Sequence, residues 1–142
     1  MKSVQQILST KPVQVYAAAS TDSVLDALKV MTEKNISALL IMDNDDLLGI
    51  FTERDYARKI VLHGKSSNTT PLSEAMTKNP ITVNPADSIE LCMELMTDKH
   101  IRHLPVMDGT KVAGMVSIGD VVKFIIADQK QTISQLESYI NS

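Results

Sequence analysis

The sequence has few aromatic residues: no tryptophan, two phenylalanines and three tyrosines among 142 residues. Because 44% of the chain is nevertheless apolar, its core has to be built from leucine, isoleucine, valine and the eight methionines. No apolar run is long enough to span a membrane, and the first residues do not read as a signal peptide. These absences predict a compact cytoplasmic protein that does not enter a membrane.

Cysteine and an excess of positive charge are also lacking. Cys92 is the single cysteine, so the chain cannot form an internal disulfide, which fits the reducing cytoplasm. Cys92 lies in an apolar helical pattern, and this predicts a packing role. The net charge is −3 and neither half of the chain is basic, so we expect no sequence-independent binding of nucleic acid.

One short pattern is present twice, at residues 49–55 and 114–120. Each copy reads glycine, two apolar residues, a hydroxyl residue, two variable residues and aspartate. Two apolar residues after a glycine are typical of the end of a buried strand. The hydroxyl residue and the aspartate then fall where a helix is expected to begin.

This pattern has two interpretations. Short polar side chains at the start of a helix often only cap it, by accepting hydrogen bonds from free backbone N–H groups. A helix N-terminus also attracts anions, and a neighbouring carboxylate can accept hydrogen bonds from a sugar diol, which would together describe a nucleotide site. The duplication of the pattern favours the nucleotide site.

The pattern belongs to a larger internal repeat. Residues 22–58 align with residues 87–123 without a gap, and eleven of the 37 paired residues are identical. About two identities are expected by chance from ordinary composition. Upstream, residues 12–13 match residues 80–81 after a three-residue adjustment. The chain is therefore a tandem duplication.

Hydrophobic periodicity predicts the order β-α-β-β-α in each copy. In the first copy, strands are predicted at 11–16, 36–42 and 47–51, and helices from Ser23 and at 55–62. In the second copy, strands are predicted at 81–83, 101–107 and 112–117, and helices at 88–99 and 120–127. Short helices are predicted at 2–8 and 71–76, and a separate last helix is predicted to begin at Thr132 with a capping box to Gln135.

This order predicts an α/β (α+β) fold made of two halves, residues 1–66 and 67–142, with a polar linker at 63–70. Each half is too small to bury both faces of its sheet alone. We therefore expect the halves to pack sheet to sheet about a pseudo-twofold axis. Two clefts would result, one beside each glycine-to-aspartate turn.

Three features together resemble the CBS (cystathionine-β-synthase) domain. They are the two repeated turns, the run Asn-Ile-Ser-Ala-Leu-Leu-Ile at 35–41, and the run His-Ile-Arg-His-Leu-Pro-Val-Met-Asp at 100–108. The chain resembles a tandem pair of these domains, a Bateman module, and most resembles small stand-alone bacterial proteins of this kind. The resemblance implies a regulatory protein that binds AMP, ADP, ATP, NAD(H) or S-adenosylmethionine and signals to an unknown effector protein through conformation or dimerisation.

The resemblance also implies roles for particular residues. It assigns the ribose to Asp55 and Asp120, and the ribose or a phosphate to Thr52 and Ser117. It assigns phosphate to Arg102 and His103, and it places Ile50 and Met115 beside the base. Further candidate ligand-binding residues are Ser37, Arg54, Ile118, Tyr16 and Thr82.

The two clefts are not expected to be chemically equal. The first copy has serine and alanine at 37–38, where the second has Arg102 and His103. Arg54 in the first turn is matched by Gly119 in the second. One cleft is therefore expected to bind less well than the other.

Other classes of function have less support in the sequence. It contains no Walker loop and no dinucleotide fingerprint, and its predicted elements bring no catalytic constellation together, so we predict no enzyme activity. His100 and His103 have a spacing that suits metal binding on a helix, but residues 101–107 are predicted to be a strand and no cysteine or third histidine lies near, so we predict no metal site. The remaining alternative is a structural assembly module with vestigial clefts. Under either interpretation a homodimer is predicted from the apolar faces of the terminal helices: Val4, Ile7, Leu8, Ile133, Leu136 and Ile140.

Overall fold

The fold is taken from a computed structural model, which describes residues 2–11 and 15–141. The elements of the first half are α1 (Val4–Leu8), β1 (Ala17–Ala18), α2 (Val24–Lys34), β2 (Ala38–Asp43), β3 (Asp46–Thr52) and α3 (Glu53–Asp55), which continues as a π-helical segment, Tyr56–Val61. The elements of the second half are α4 (Leu72–Ala75), β4 (Thr77–Lys78), α5 (Ile89–Lys99), β5 (His103–Asp108), β6 (Lys111–Ser117) and α6 (Ile118–Asn141). This order confirms the predicted α/β fold class.

The strands of the two repeats form two β-sheets. The first has the strand order β1-β2-β3-β4, in which β1 runs parallel to β2 and the other pairs are antiparallel. The second consists of β5 and β6, paired antiparallel. Ala38 pairs with Thr52 in the first hairpin, and His103 pairs with Ser117 in the second. The hydroxyl residue of each repeated turn therefore ends the second strand of its hairpin, and a helix follows.

Two predicted strands differ from the structure. Val83 makes only an isolated parallel bridge with Val106, because the apolar run at 81–83 lies between Pro80 and Pro85, which have no backbone N–H to donate. The strand predicted at 11–16 is replaced by β1 further along the chain, and residues 12–14 lie outside the described residues.

The segment that precedes each repeat packs against the core of the other repeat. Val4 and Ile7 of α1 are buried with residues of α5, β5 and β6. Leu72 and Ala75 of α4 are buried with residues of α2, β2 and β3. The packing therefore links the proposed halves in both directions. It also corrects the prediction that α1 takes part in a homodimer. The apolar face of α1 is buried in the core of the second repeat and is not available to a second copy.

The two sheets meet through a small apolar cluster. Ala38, Leu40 and Ile50 are buried in this cluster, and Val112 and Met115 of β6 pack against it. Removal of this apolar surface from water holds the repeats together. The predicted packing through the sheets is confirmed.

The end of the chain is one helix, whereas two were predicted. The structure has α6 running without a break from Ile118 to Asn141. The hydroxyl of Thr132 donates a hydrogen bond to the carbonyl of Asp128 at 3.1 Å, so Thr132 is not an N-cap. Residues 128–131 are Asp-Gln-Lys-Gln and contain neither glycine nor proline, so nothing interrupts the helix there.

Cys92 packs in the core of the second repeat, as predicted. Its side chain is fully buried, and burial raises the pKa of its thiol. A raised pKa disfavours the reactive thiolate, which fits a structural role.

Candidate ligand-binding clefts

The two repeated turns form the same local structure. In the first, the backbone N–H of Thr52 donates to Asp55 Oδ2 at 2.9 Å, and the N–H of Asp55 donates to Thr52 Oγ1 at 3.2 Å. In the second, the N–H of Ser117 donates to Asp120 Oδ2 at 2.9 Å, and the N–H of Asp120 donates to Ser117 Oγ at 3.1 Å. Each pair is a reciprocal helix cap, so the capping interpretation holds for both turns. The cap also fixes the position of each carboxylate at the edge of a cavity.

The first cleft is a cavity of about 380 Å³ beside the first turn. It is lined by Ser37, Ile50, Thr52, Glu53, Arg54, Asp55, Thr77, Asn79, Pro80, Ile81, Ile101, Arg102 and His103. Its apolar part comes from three isoleucines and Pro80, and its charged part contains two arginines and two carboxylates. Both repeats contribute residues, so a ligand here would contact both.

The second cleft is a cavity of about 360 Å³ beside the second turn. It is lined by Lys11, Val15, Tyr16, Asn35, Ile36, Ser37, Ala38, His103, Met115, Ser117 and Asp120. The two aspartates therefore lie in separate cavities, as the pseudo-symmetry of the repeats predicts. They do not form a carboxylate pair.

Asp55 is held by contacts on both of its oxygens. Besides the cap, its Oδ1 accepts a hydrogen bond from the hydroxyl of Thr77 at 2.9 Å and lies 3.4 Å from Lys59 Nζ. The residue is only 9% exposed. Thr77 belongs to β4, so this carboxylate ties the edge strand of the sheet to the turn.

Asp120 is held by one lysine from the start of the chain. Lys11 Nζ lies 2.8 Å from Asp120 Oδ2 and donates to the carbonyl of Met115 at 2.5 Å. Burial alone would raise the pKa of Asp120, but its hydrogen bonds with Lys11 and Ser117 and the charge of Lys11 outweigh burial, so the pKa lies below its ordinary value. Asp120 is therefore ionised at neutral pH.

Ser37 and His103 line both clefts. The hydroxyl of Ser37 and Nε2 of His103 are 3.0 Å apart, within hydrogen-bonding distance. The pKa of His103 lies below its ordinary value, mainly because the side chain is buried. The charges of Arg102 and Lys11 also lower this pKa, whereas the nearby carboxylates of Asp120 and Glu53 raise it. This lowered pKa favours the neutral imidazole at pH 7.

Arg54 of the first cleft contacts the other repeat. Arg54 donates a hydrogen bond from its guanidinium to the carbonyl of His100, which is the left-handed residue at the end of α5. Arg54 and Arg102 thus lie at the same cavity although they come from different repeats. Glu53 adds a carboxylate to the same lining, so the cleft has mixed charge.

A family model described as the CBS domain matches residues 4–62 and again residues 72–127. The chain belongs to the CBS-domain family. It contains two copies of the domain, which confirms the resemblance derived from the repeated turns.

Individual relatives support the same family. A solved protein with CBS domains from Burkholderia ambifaria is 51% identical with a TM-score of 0.87, over 90% of this chain and 96% of that one. The CBS domain pair of protein MJ0100, solved with 5′-methylthioadenosine and S-adenosylmethionine, is 29% identical with a TM-score of 0.78, over 90% of this chain and 98% of that one. A mitochondrial CBS domain-containing protein of Arabidopsis thaliana, CBSX3, is 43% identical over 84% of this chain, which spans 60% of that relative.

The CBS pair brings most of the sequence-predicted site residues to a cleft. The first cleft contains Ser37, Ile50, Thr52, Arg54, Asp55, Arg102 and His103, and the second contains Tyr16, Ser37, His103, Met115, Ser117 and Asp120. Two candidates, Ile118 and Thr82, line neither cavity. Arg102 comes from the second repeat but lines the cleft of Asp55, because β5 lies beside the first turn.

Four polar residues that line the clefts of the CBS pair were missed from the sequence. Thr77 and Asn79 line the first cleft, and Lys11 and Asn35 line the second. Thr77, Asn79 and Lys11 lie upstream of the gap-free alignment. A signal for two of them was present, since the upstream match of 12–13 with 80–81 places Lys11 opposite Asn79.

Over residues 2–11 and 15–141, no three side chains among histidine, cysteine, aspartate and glutamate are grouped so as to hold a metal ion. Over the same part of the chain, no helix combines the length and the apolar character needed to cross a bilayer.

Proposed function

We propose that this CBS pair is a non-catalytic regulatory module that binds an adenine nucleotide or another adenosyl ligand in the clefts of Asp55 and Asp120. The observation that carries the proposal is the pair of capped carboxylates, each fixed at the edge of its own cavity. The candidate ligands are AMP, ADP, ATP, NAD(H) and S-adenosylmethionine. The MJ0100 pair, whose structure contains 5′-methylthioadenosine and S-adenosylmethionine, supports the adenosyl part of the proposal.

The chemistry of each cleft suits such a ligand. Ionised carboxylates accept hydrogen bonds from sugar hydroxyls, and a cap that fixes the carboxylate lowers the cost of ordering it on binding. Ile50 in the first cleft and Met115 in the second offer apolar surface to a base. Arg54 and Arg102 in the first cleft offer charge-assisted hydrogen bonds to phosphate.

The shared residues give the module a way to signal. The first cleft is lined by both repeats, and Ser37 with His103 lies between the two clefts. A ligand that prefers one arrangement of the repeats shifts the population toward that arrangement by its difference in affinity for the two. An effector protein in the cytoplasm would then recognise the favoured arrangement.

Calorimetric titration tests this proposal. The purified protein is titrated with AMP, ADP, ATP, NADH and S-adenosylmethionine, and we expect micromolar binding of at least one. Asp120→Ala is expected to weaken binding at its cleft by about ten- to a hundredfold, because it removes hydrogen bonds to a charged group that contribute about 1.5–3 kcal/mol.

The titration has a matched control and a clear failure. Asp98→Ala removes an exposed carboxylate from α5 and should leave every affinity unchanged. Unchanged affinity in both Asp55→Ala and Asp120→Ala would overturn the ribose assignment. Absence of heat with all five ligands would favour the alternative function, an assembly module with vestigial clefts.

The proposal includes a homodimer, and the observation that favours it is the exposed end of α6. Ile126, Gln129, Ile133, Leu136 and Ile140 follow the alternating three- and four-residue spacing of a heptad, and the four apolar residues among them are 48–79% exposed. Isoleucine and leucine at alternate core positions favour a two-stranded coiled coil. A helical end that is exposed on all sides gains little stability alone in water, so a second copy of α6 is the partner we assign.

Light scattering at micromolar concentration checks the dimer. The wild-type protein is expected to have twice the mass of one chain, and Leu136→Glu is expected to shift it to the monomer because it places a charge in the helix contact. Gln135→Glu adds the same charge on the outer face of α6 and should leave the dimer intact. A monomeric wild type, or a Leu136→Glu variant that stays dimeric, would contradict this interface.

A further inference from the structure

The second cleft contains a lysine that the first cleft does not have. Lys11 Nζ bonds both Asp120 Oδ2, at 2.8 Å, and the carbonyl of Met115, at 2.5 Å. Both of these residues line the second cleft together with Lys11. The lysine therefore holds the carboxylate that the proposed function assigns to the ribose.

The carboxylate of the first cleft is held by a different lysine. This carboxylate, Asp55, is paired with Lys59, which also donates to the carbonyl of Met76 at 2.9 Å but does not line the cavity. The residue that matches Lys11 in the repeat is Asn79, which lines the first cleft as an uncharged amide. The difference between the clefts at this position is thus one full positive charge.

Lys11 lines the second cleft and is not fully enclosed by its partners, because its side chain is 33% exposed. Among the described residues that line the second cleft, Lys11 is the only lysine or arginine. His103 is the other basic side chain there, and its lowered pKa favours the neutral form at pH 7.

We propose that Lys11 sets the ligand class of the second cleft, which is an adenosyl ligand that carries a phosphate. This inference rests on the proposed function. Lys11 and the cap both bond Oδ2 of Asp120, so ribose hydroxyls can approach Oδ1, and a neutral nucleoside gains nothing from the ammonium group. A nucleotide adds a phosphate, which becomes a further partner of Lys11. The lysine thus acts against cationic adenosyl ligands and in favour of anionic ones.

Comparison of AMP with adenosine tests this role, because the two differ only by the phosphate. Binding is followed by the amide NMR signals of Gly114 and Ser117 for the second cleft and of Gly49 and Thr52 for the first. The wild type is expected to prefer AMP at the second cleft, and Lys11→Met is expected to reduce this preference by about tenfold or more, the size of one charge-assisted hydrogen bond. Lys11→Arg keeps the charge and should keep the preference.

The controls separate this inference from the proposed function. Lys59→Met removes the lysine of the first carboxylate and should leave the preference at the second cleft unchanged. Loss of the ammonium group should also raise the pKa of Asp120 in Lys11→Met, which NMR titration of the carboxyl measures independently of any ligand. An equal preference for AMP in the wild type and Lys11→Met would overturn the role of Lys11 alone. Absence of shifts at both clefts with AMP and adenosine, together with absence of heat from all five titrated ligands, would overturn the proposed function as well.

Discussion

Replacing Phe51 with alanine is expected to lower the free energy of unfolding by about 3–5 kcal/mol. Phe51 is fully buried in the first core, where it is the largest of the fully buried side chains. Its loss removes apolar surface from the core and leaves a cavity that the rigid sheet of β2 and β3 cannot close. The expected loss is a large part of the total stability of a domain, about 5–15 kcal/mol.

Equilibrium unfolding in urea measures this effect. Val116 occupies the same place in the second turn and is also fully buried, so Val116→Ala is the matched control. It removes fewer atoms and should cost clearly less. A loss below about 1 kcal/mol for Phe51→Ala would mean that the first core is not packed around this residue.

Gly49→Ala is expected to lower the free energy of unfolding by about 3 kcal/mol, near the upper end of the usual cost of overpacking. A β-carbon on Gly49 would lie 2.5 Å from the carbonyl oxygen of Thr77 and 2.8 Å from the sulfur of Met76. The oxygen belongs to the backbone of β4, so it can move only if the pairing of β3 with β4 changes. This position needs glycine because of a close approach between strands.

The second repeat again supplies the control. A β-carbon on Gly114 would meet Leu8 Cδ2 at 2.9 Å, which is the end of a flexible side chain. Gly114→Ala should therefore cost less than Gly49→Ala in the same unfolding experiment. Equal losses in the two variants would contradict the different surroundings of the two glycines. Because β4 carries Thr77, Gly49→Ala should also weaken binding at the first cleft more than at the second.

The order of elements could be predicted because hydrophobic periodicity and the internal repeat are both local in sequence. The hairpins of both repeats and the helices at 24–34 and 89–99 follow from these signals. The helix at the end of the chain was divided wrongly, because a capping pattern at Thr132 is weaker than a continuous run of helix-forming residues. The prediction of a strand at 81–83 was wrong because the flanking prolines limit backbone hydrogen bonding there.

The site could be predicted only as far as the repeat extends. Asp55 and Asp120 were placed at separate clefts because their motif positions match. Lys11 and Thr77 were missed, since each comes from a segment that packs against the other repeat. Arg102 was expected to make the two clefts unequal, but the sequence did not indicate that it lines the cleft of Asp55. Contacts made across the pseudo-twofold axis leave no periodic signal in one sequence.

The central claim is that the capped carboxylates bind the ribose of an adenosyl ligand. A crystal structure of the protein with whichever of the five titrated ligands binds most tightly tests this most directly. The account predicts density in at least one cleft, with the ribose hydroxyls within hydrogen-bonding distance of Asp55 or Asp120 and the base against Ile50 or Met115. A ligand bound outside both clefts, or a ribose directed away from both carboxylates, would contradict it.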